Sequence, residues 1–387
     1  MDKCPFHDAF AEHRKQGDAI PITFDDEEIT MILGFKAVRS AARDFGSFSS
    51  DAPFRVPIPS EEDVRTVRQL PIELDPPKHK TYRALVEPFF RRPLAPEYAE
   101  KVSDLIEELL LDASGKENIE IVRDFALPLQ SRALTYLFNV DESEAEIWTG
   151  WGIHVFRDGK ADAKDDFSLE DYINRKFDEA EASPEQPDFF STLAYAEIEG
   201  ERLTRDEMVG FANLAFAGGR DTIIQSVSSV FALFGMQPEL LNKIRSDSSL
   251  INTATEEFFR MVTPLTHIGR VNTENREVHG VETKQDQRIS LCWASANYDE
   301  TVFKDADTFC PDRKPNPHIA FGNGAHTCAG AHHARLIMRT LLRLIADLNI
   351  DIKLIDLTEN IEKQNDYERR TGFESLIVKL NRTTTSS

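Results

Sequence analysis

The sequence predicts a mainly α-helical protein with a small β-rich region, and three observations carry that prediction. Apolar residues recur at three- and four-residue steps through residues 97–113, 119–139, 143–156 and 168–182, with few glycine or proline breaks, as amphipathic helices require. Residues 205–234 form the longest apolar helical run in the chain. Strand-like stretches, in contrast, are short: 19–24 and 28–33 near the start, then 271–274, 278–283 and 288–293, and finally 373–380 after Gly372.

The chain has 387 residues, 41% of them hydrophobic, so it can bury a large core. Its formal net charge of −22 argues against nucleic acid as a partner. The four cysteines, Cys4, Cys292, Cys310 and Cys328, show no paired spacing. That suits a reducing cytosol better than a disulfide framework. Residues 1–19 are polar and hold no apolar run of signal or membrane-spanning length. A cytoplasmic protein without membrane contact is therefore expected.

Taken in order, residues 9–16 read as a short helix, and Gly34 marks a turn before a second helix over 35–45. Residues 47–59 are rich in Ser and Pro and read as a loop. At 74–83, Pro76 breaks the chain and Pro77 can occupy the first turn of the next helix. His79 and Arg83 then share one helix face. A charged loop at 157–166 and a break at 183–187 bracket the helix at 168–182, and another helix follows over 188–198. Within 205–234, Gly218 and Gly219 stand beside Arg220, Asp221 and Thr222. Two mid-helix glycines cost about 2 kcal/mol relative to alanine, and buried polar side chains add a desolvation cost. Either the helix is unwound there or those groups serve chemistry. Residues 256–261 are helical and place Glu257 and Arg260 three apart on one face.

The most informative stretch is Phe321-Gly322-Asn323-Gly324-Ala325-His326-Thr327-Cys328-Ala329-Gly330. Its glycines let the backbone pass close to something bulky. A helix follows over 329–347, which puts Cys328 at a helix N-terminus, where unpaired N–H groups favour a thiolate. A thiolate pointed out of such a loop makes a good metal ligand, although a lone cysteine is as readily a buried, inert thiol. The full string resembles the heme-binding signature of the cytochrome P450 family, F-x-x-G-x-H/R-x-C-x-G, with every specified position filled. The resemblance implies that Cys328 is the axial ligand of a heme iron, within a loop that includes Phe321, Gly322, His326 and Gly330.

Four further stretches resemble the family in the same chain order. Asp75 to Arg83 matches D-P-P-x-H-x-x-x-R, which implies that His79 and Arg83 bind the heme propionates; the planar fork of arginine suits a carboxylate. Arg270 and His326 are implied in the same role. Gly218 to Thr222 resembles A/G-G-x-D/E-T, where small residues make room for dioxygen and the acid–alcohol pair, here Asp221 and Thr222, manages proton delivery. Glu257-Phe258-Phe259-Arg260 fits E-x-x-R, and Phe309-Cys310-Pro311-Asp312-Arg313 fits F-x-P-x-R. Together they imply a buried structural cluster of Glu257, Arg260 and Arg313 that braces the cysteine loop.

The resemblance covers residues 70–380. It implies the cytochrome P450 fold in a single domain over residues 1–387, with 1–70 and 265–295 supplying the β-rich region and 381–387 a frayed tail. The implied activity is that of a heme-thiolate monooxygenase, which inserts one oxygen atom from O2 into a C–H bond using heme b (iron protoporphyrin IX). No stretch is left over for a reductase, so electrons are expected from a ferredoxin or flavodoxin served by an NAD(P)H-dependent reductase. Lys78, Lys80, Arg91, Arg92, Lys314, Arg335 and Arg339 are candidates for its docking patch. A monomer or weak dimer is expected. Placement relative to the motifs nominates Arg65, Arg68, His154, Gly218, Thr222, Gln225, Thr266, His267 and Phe373 as substrate contacts. So polar a set suggests a small polar substrate, a methoxylated sugar or aromatic acid. Oxidation of its O-methyl carbon would give a hemiacetal that collapses to an alcohol and formaldehyde, a reaction known among soluble bacterial members. The alternatives are a hydroxylase of terpenes or other apolar molecules, a peroxide-driven peroxygenase, and a non-catalytic heme-thiolate sensor.

Overall fold

The computed structural model describes residues 5–24, 27–62, 65–153 and 169–382. Two helices, Arg205–Gly219 and Asp221–Met236, run in succession through the interior. The first opens on a capping box in which Thr204 and Glu207 satisfy each other's backbone N–H groups. The second is buried along most of its length: Val227, Val230, Phe231, Leu233 and Phe234 expose no surface. A helix like that needs neighbours all round, and it has them in the helices Ile251–Val262 and Ala331–Asp347 and in the C-terminal strands. The helix Pro96–Ser114 buries Val102, Leu105, Ile106 and Leu110, the three- and four-step spacing expected, against Ala331–Asp347.

The single run expected over 205–234 is therefore two helices. The ladder stops at Gly219, Arg220 adopts φ −103° and ψ −72°, and a new helix starts at Asp221. The interruption removes the glycines from a helix interior. It also frees carbonyls, which side chains then satisfy. Gln130 Nε2 donates to Gly219 O, and Thr222 Oγ1 donates to Gly218 O at 3.0 Å. Residues 119–139 are likewise not one helix. They comprise a short strand Ile119–Glu120, a π-turn Val122–Ala126 and the helix Leu127–Phe138, which stops at Asn139 in the left-handed region (φ +58°).

An aromatic cluster ties this helix to the next three along the chain. Phe138 stacks on Phe189 at 4.4 Å, and Trp148 and Trp151 meet Phe216 edge-on at 5.1 and 5.6 Å. It fixes the helices Glu144–Gly150, Leu169–Glu181 and Phe189–Ala194 against the first central helix.

The β-rich region is a five-stranded sheet. Its order is Ala19–Phe24, Glu27–Ile32, Arg288–Leu291, Ile268–Asn272 and Phe48–Ser49. Strand Arg288–Leu291 runs parallel to Glu27–Ile32 and antiparallel to Ile268–Asn272, so Arg270 faces Ile289. These strands fall within 1–70 and 265–295. A second sheet does not: a long hairpin, Ile350–Lys363 with Glu368–Arg382, plus Ile119–Glu120. Only 373–380 of it was anticipated, because the first strand carries exposed polar residues along much of its length and shows little alternation. The strand also takes in Asn381 and Arg382, the first two residues of the expected frayed tail; 383–387 lie outside the described residues.

Candidate active site

A cavity of about 460 Å³ is walled both by the cysteine loop, through Phe321, Gly322, Cys328 and Gly330, and by the helix interruption, through Gly218, Gly219 and Thr222. Two glycines shape the loop. Gly322 has φ +72° and Gly324 φ +82°, and a Cβ on Gly324 would meet Ala42 O at 2.7 Å. The Cys328 N–H donates to Phe321 O at 2.8 Å, closing the turn. The following helix begins at Ala331, with Gly330 as its N-cap, so Cys328 stands in the turn before the helix and not in its first turn. Cys328 is exposed to the cavity that it helps to wall. Burial pushes the Cys328 thiol up, and the Gly330 N–H, Arg83 and Arg335 offset this only in part. The helix end alone does not make a thiolate here; a coordinated cation would, since metals deprotonate their thiol ligands.

The residues expected to meet propionates converge. His79 and His326 pack ring to ring at 4.2 Å. His79 and Arg270 are each 3% exposed. Arg270 Nη1 donates to Gly269 O at 2.7 Å and Arg83 Nη1 to Thr327 O at 2.7 Å. Among the described residues, no carboxylate pairs with either arginine. Both ring nitrogens of His326 are buried without a partner. Burial, reinforced by neighbouring positive charge, lowers His79 to about 4 and His326 to about 2, and burial lowers Arg270 to about 10. Unpartnered buried donors are costly, and this cluster of donors is what a dianionic group would satisfy. Gly218 adds a cradle: a Cβ there would meet nothing within 4 Å on the cavity wall. These observations fit a carboxylate-bearing cofactor whose metal Cys328 would hold. Among the described residues no group of three or more His, Cys, Asp or Glu could hold a metal by itself.

Asp221 is the first residue of the second central helix, and Thr222 reaches the cavity wall beside it. The preceding Arg220 is 1% exposed and donates to Trp148 O at 3.0 Å and to Gly152 O.

Glu257 and Arg260 have no exposed surface. Arg260 grips Glu257 through Nε (2.9 Å) and Nη2 (2.8 Å), and its Nη1 reaches Asn297 O and Ala306 O at 2.9 and 2.8 Å. Arg313 Nε donates to the same carboxylate at 2.9 and 3.0 Å, Asn316 Nδ2 at 3.1 Å and the Cys310 N–H at 3.1 Å. Burial alone would raise Glu257, but the hydrogen bonds and charge of Arg260, joined by Cys310 and Arg313, hold it below the usual carboxylate range. Arg260 also fixes the 297–306 segment, whose Asn297 Oδ1 accepts from the Ile319 N–H ahead of the cysteine loop at 2.8 Å.

Several expected substrate contacts lie elsewhere. Arg68 does not line the cavity; it pairs with Asp51 at 2.6 Å and donates to Glu73 O. Arg65 is drawn to Glu61 and Glu73. Gln225 is also off the wall: in the amide orientation that satisfies both ends, it donates to Thr371 O (3.0 Å) and Pro264 O (3.3 Å). Phe373 is buried in the main apolar core instead of entering the cavity, and Thr266 is tied to Glu362 and Arg369. Gly218, Thr222 and His267 do line the cavity. The His267 Nδ1 is 2.9 Å from Ser290 Oγ. His154 lies outside the described residues. Motif placement missed Glu61, Gln69, Leu265 and Trp293 on the wall. They sit in loops or at element ends, where no periodicity marks them.

Part of the basic set is engaged internally. Arg335 and Arg339 bond Glu256 at 2.7 and 3.3 Å, and Arg92 donates to Tyr136 O and Asn139 Oδ1 at 3.1 and 2.7 Å. Lys78, Lys80, Arg91 and Lys314 are exposed.

Comparison with known proteins agrees with this geometry. The family model described as cytochrome P450 matches residues 155–347. A solved structure described as that of a carbohydrate active P450 is 42% identical, superimposes with a TM-score of 0.94, and covers 99% of this chain and 100% of its own. A steroid C26-monooxygenase of Mycolicibacterium smegmatis is 28% identical over 87% of this chain and 84% of that protein. A linalool 8-monooxygenase of Pseudomonas putida is 29% identical over 71% and 70%. The chain belongs to the cytochrome P450 family of monooxygenases, whose members use heme and O2. No helix among the described residues is long and apolar enough to cross a membrane.

Proposed function

We propose that this chain is a heme-thiolate monooxygenase that oxidises the O-methyl carbon of a small methoxylated sugar, releasing formaldehyde. The observation that carries this reading is the likeness, over essentially the whole chain, to a structure described as a carbohydrate active P450. When bound, heme b would activate O2, which is the oxidant, with two electrons from the redox partner and two protons. Cys328 would hold its iron, His79, Arg83, Arg270 and His326 its propionates, and Phe321, Gly322 and Gly330 the loop beneath. Asp221 passes protons to Thr222 Oγ1 at the cavity wall, and Gly218 leaves the space that dioxygen and substrate need. Glu257, Arg260 and Arg313 keep the 297–319 segment, and through it the cysteine loop, in register. Oxidation at the O-methyl carbon leaves a hemiacetal, which collapses to alcohol and formaldehyde without further help.

Electrons come from a ferredoxin or flavodoxin with its NAD(P)H-dependent reductase, docking on the exposed Lys78, Lys80, Arg91 and Lys314. We place the enzyme in the cytoplasm as a monomer or weak dimer. The test is turnover of the heme-loaded enzyme with ferredoxin, reductase and NADPH against methoxylated sugars, methoxybenzoates, terpenes and fatty acids. Formaldehyde should appear one for one with the sugar consumed. Product formed only from terpenes or fatty acids would contradict the reading, and equal turnover with hydrogen peroxide alone would favour a peroxygenase.

A further inference from the structure

The charge on the cavity wall is asymmetric. Arg83 and Arg270 line the cavity together with the cysteine loop, whereas Glu61 is bonded by Arg65, a cation it shares with Glu73. Among the described residues that line the cavity, Glu61 is the single carboxylate. Glu73 is fully buried and accepts the Phe54 N–H at 3.0 Å and the Gln69 N–H at 2.8 Å as well as the Arg65 guanidinium. Arg65 also donates from Nε to Glu61 at 2.5 Å. One cation is thus divided between two anions, which leaves a net negative charge. Of the three side chains, Glu61 has the most surface, 26% against 8% for Arg65 and 0% for Glu73. Arg68, the next cation along the chain, is paired with Asp51 and lies off the wall. The same wall includes Val56, Ile58, Leu70 and Ile72 together with Gln69.

We propose that Glu61 is a specificity-determining residue that accepts the hydroxyl groups of uncharged, polyhydroxylated substrates and turns away carboxylate-bearing ones. This rests on the small-polar-substrate reading above and narrows it, favouring the methoxylated sugar over the methoxylated aromatic acid. A hydroxyl donating to a carboxylate makes a charge-assisted hydrogen bond. A substrate carboxylate about 6 Å from Glu61, at an effective dielectric near 20, loses roughly a hundredfold in affinity, and solvent screening reduces this to about tenfold.

The experiment is calorimetric titration of the heme-loaded enzyme and its Glu61→Gln variant with two matched pairs at neutral pH. One pair is methyl galactoside and methyl galacturonoside. The other is 4-methoxybenzyl alcohol and 4-methoxybenzoate. In the wild type the neutral member should bind about tenfold or more tighter than its acid. In Glu61→Gln that ratio should fall to within about threefold, through tighter binding of the acid. Glutamine keeps an acceptor for Arg65, and Arg65 keeps Glu73, so the variant should match the wild type in thermal midpoint. A ratio unchanged by the substitution, or a wild type that binds acid and neutral member alike, would overturn the assignment. Binding of the aromatic pair alone would sink the sugar reading and leave Glu61 to be judged by that pair's ratio. Binding of neither pair would overturn both.

Discussion

Replacing Glu257 with glutamine should lower the unfolding free energy by about 3–5 kcal/mol, the usual cost of removing one partner from a buried ion pair. The reason lies in the partners left behind. Arg260 has no exposed surface, and Arg313 is 9% exposed. Arg260 is also fixed by Asn297 O and Ala306 O, and Arg313 by Lys304 O, Asp305 O and Thr308 O, so neither can swing out to water. Two guanidinium groups would remain buried with no counter-charge. The effect depends on pH with a definite sign. The folded-state pKa of Glu257 lies below its unfolded value, so its contribution is complete above the unfolded pKa of about 4.3 and disappears as pH falls through the folded one. Denaturant unfolding of both proteins should therefore show a large gap at neutral pH that narrows in acid. A gap under about 1 kcal/mol at neutral pH, or one that widens on acidification, would rule out this account of the cluster.

Thr222→Val should reduce product formation by about a hundredfold, the scale of a lost proton-transfer group, while substrate affinity stays within about threefold. Thr222 lines the cavity, and its Oγ1 donates to Gly218 O at 3.0 Å. Valine keeps the shape and removes the hydroxyl. NADPH oxidation should continue in this variant, with reducing equivalents appearing as hydrogen peroxide. Thr222→Ser should recover most of the coupling, and Asp221→Asn should lower product formation without a matching loss of substrate binding. The measurement is product and peroxide per NADPH consumed. If Thr222→Val stayed coupled, the hydroxyl would have only a packing role.

Much of the helical framework was legible because its periods are strong: 97–113 became Pro96–Ser114, and strand 19–24 was placed to the residue. The cysteine loop and the Glu257–Arg260–Arg313 cluster were legible because short motifs fix both spacing and chemistry. Three features were not. The interruption at Arg220 depends on Gln130, ninety residues earlier in the chain, to hold Gly219 O. The Ile350–Arg382 hairpin has a first strand too polar and too irregular in register to alternate cleanly. The cavity wall is assembled from loops, so motif placement nominated Arg68, Gln225 and Phe373, which turn elsewhere, and passed over Glu61. Which carboxylate claims an arginine is a tertiary fact that pattern does not carry.

The reduced carbon monoxide adduct reads directly whether the sulfur of Cys328 grips the heme iron. Purified, heme-loaded protein should give the long-wavelength Soret band of thiolate ligation. Cys328→Ala should lose the band, while Cys292→Ala and Cys310→Ala should keep it. A Cys328→Ala protein with an unchanged band would contradict the account.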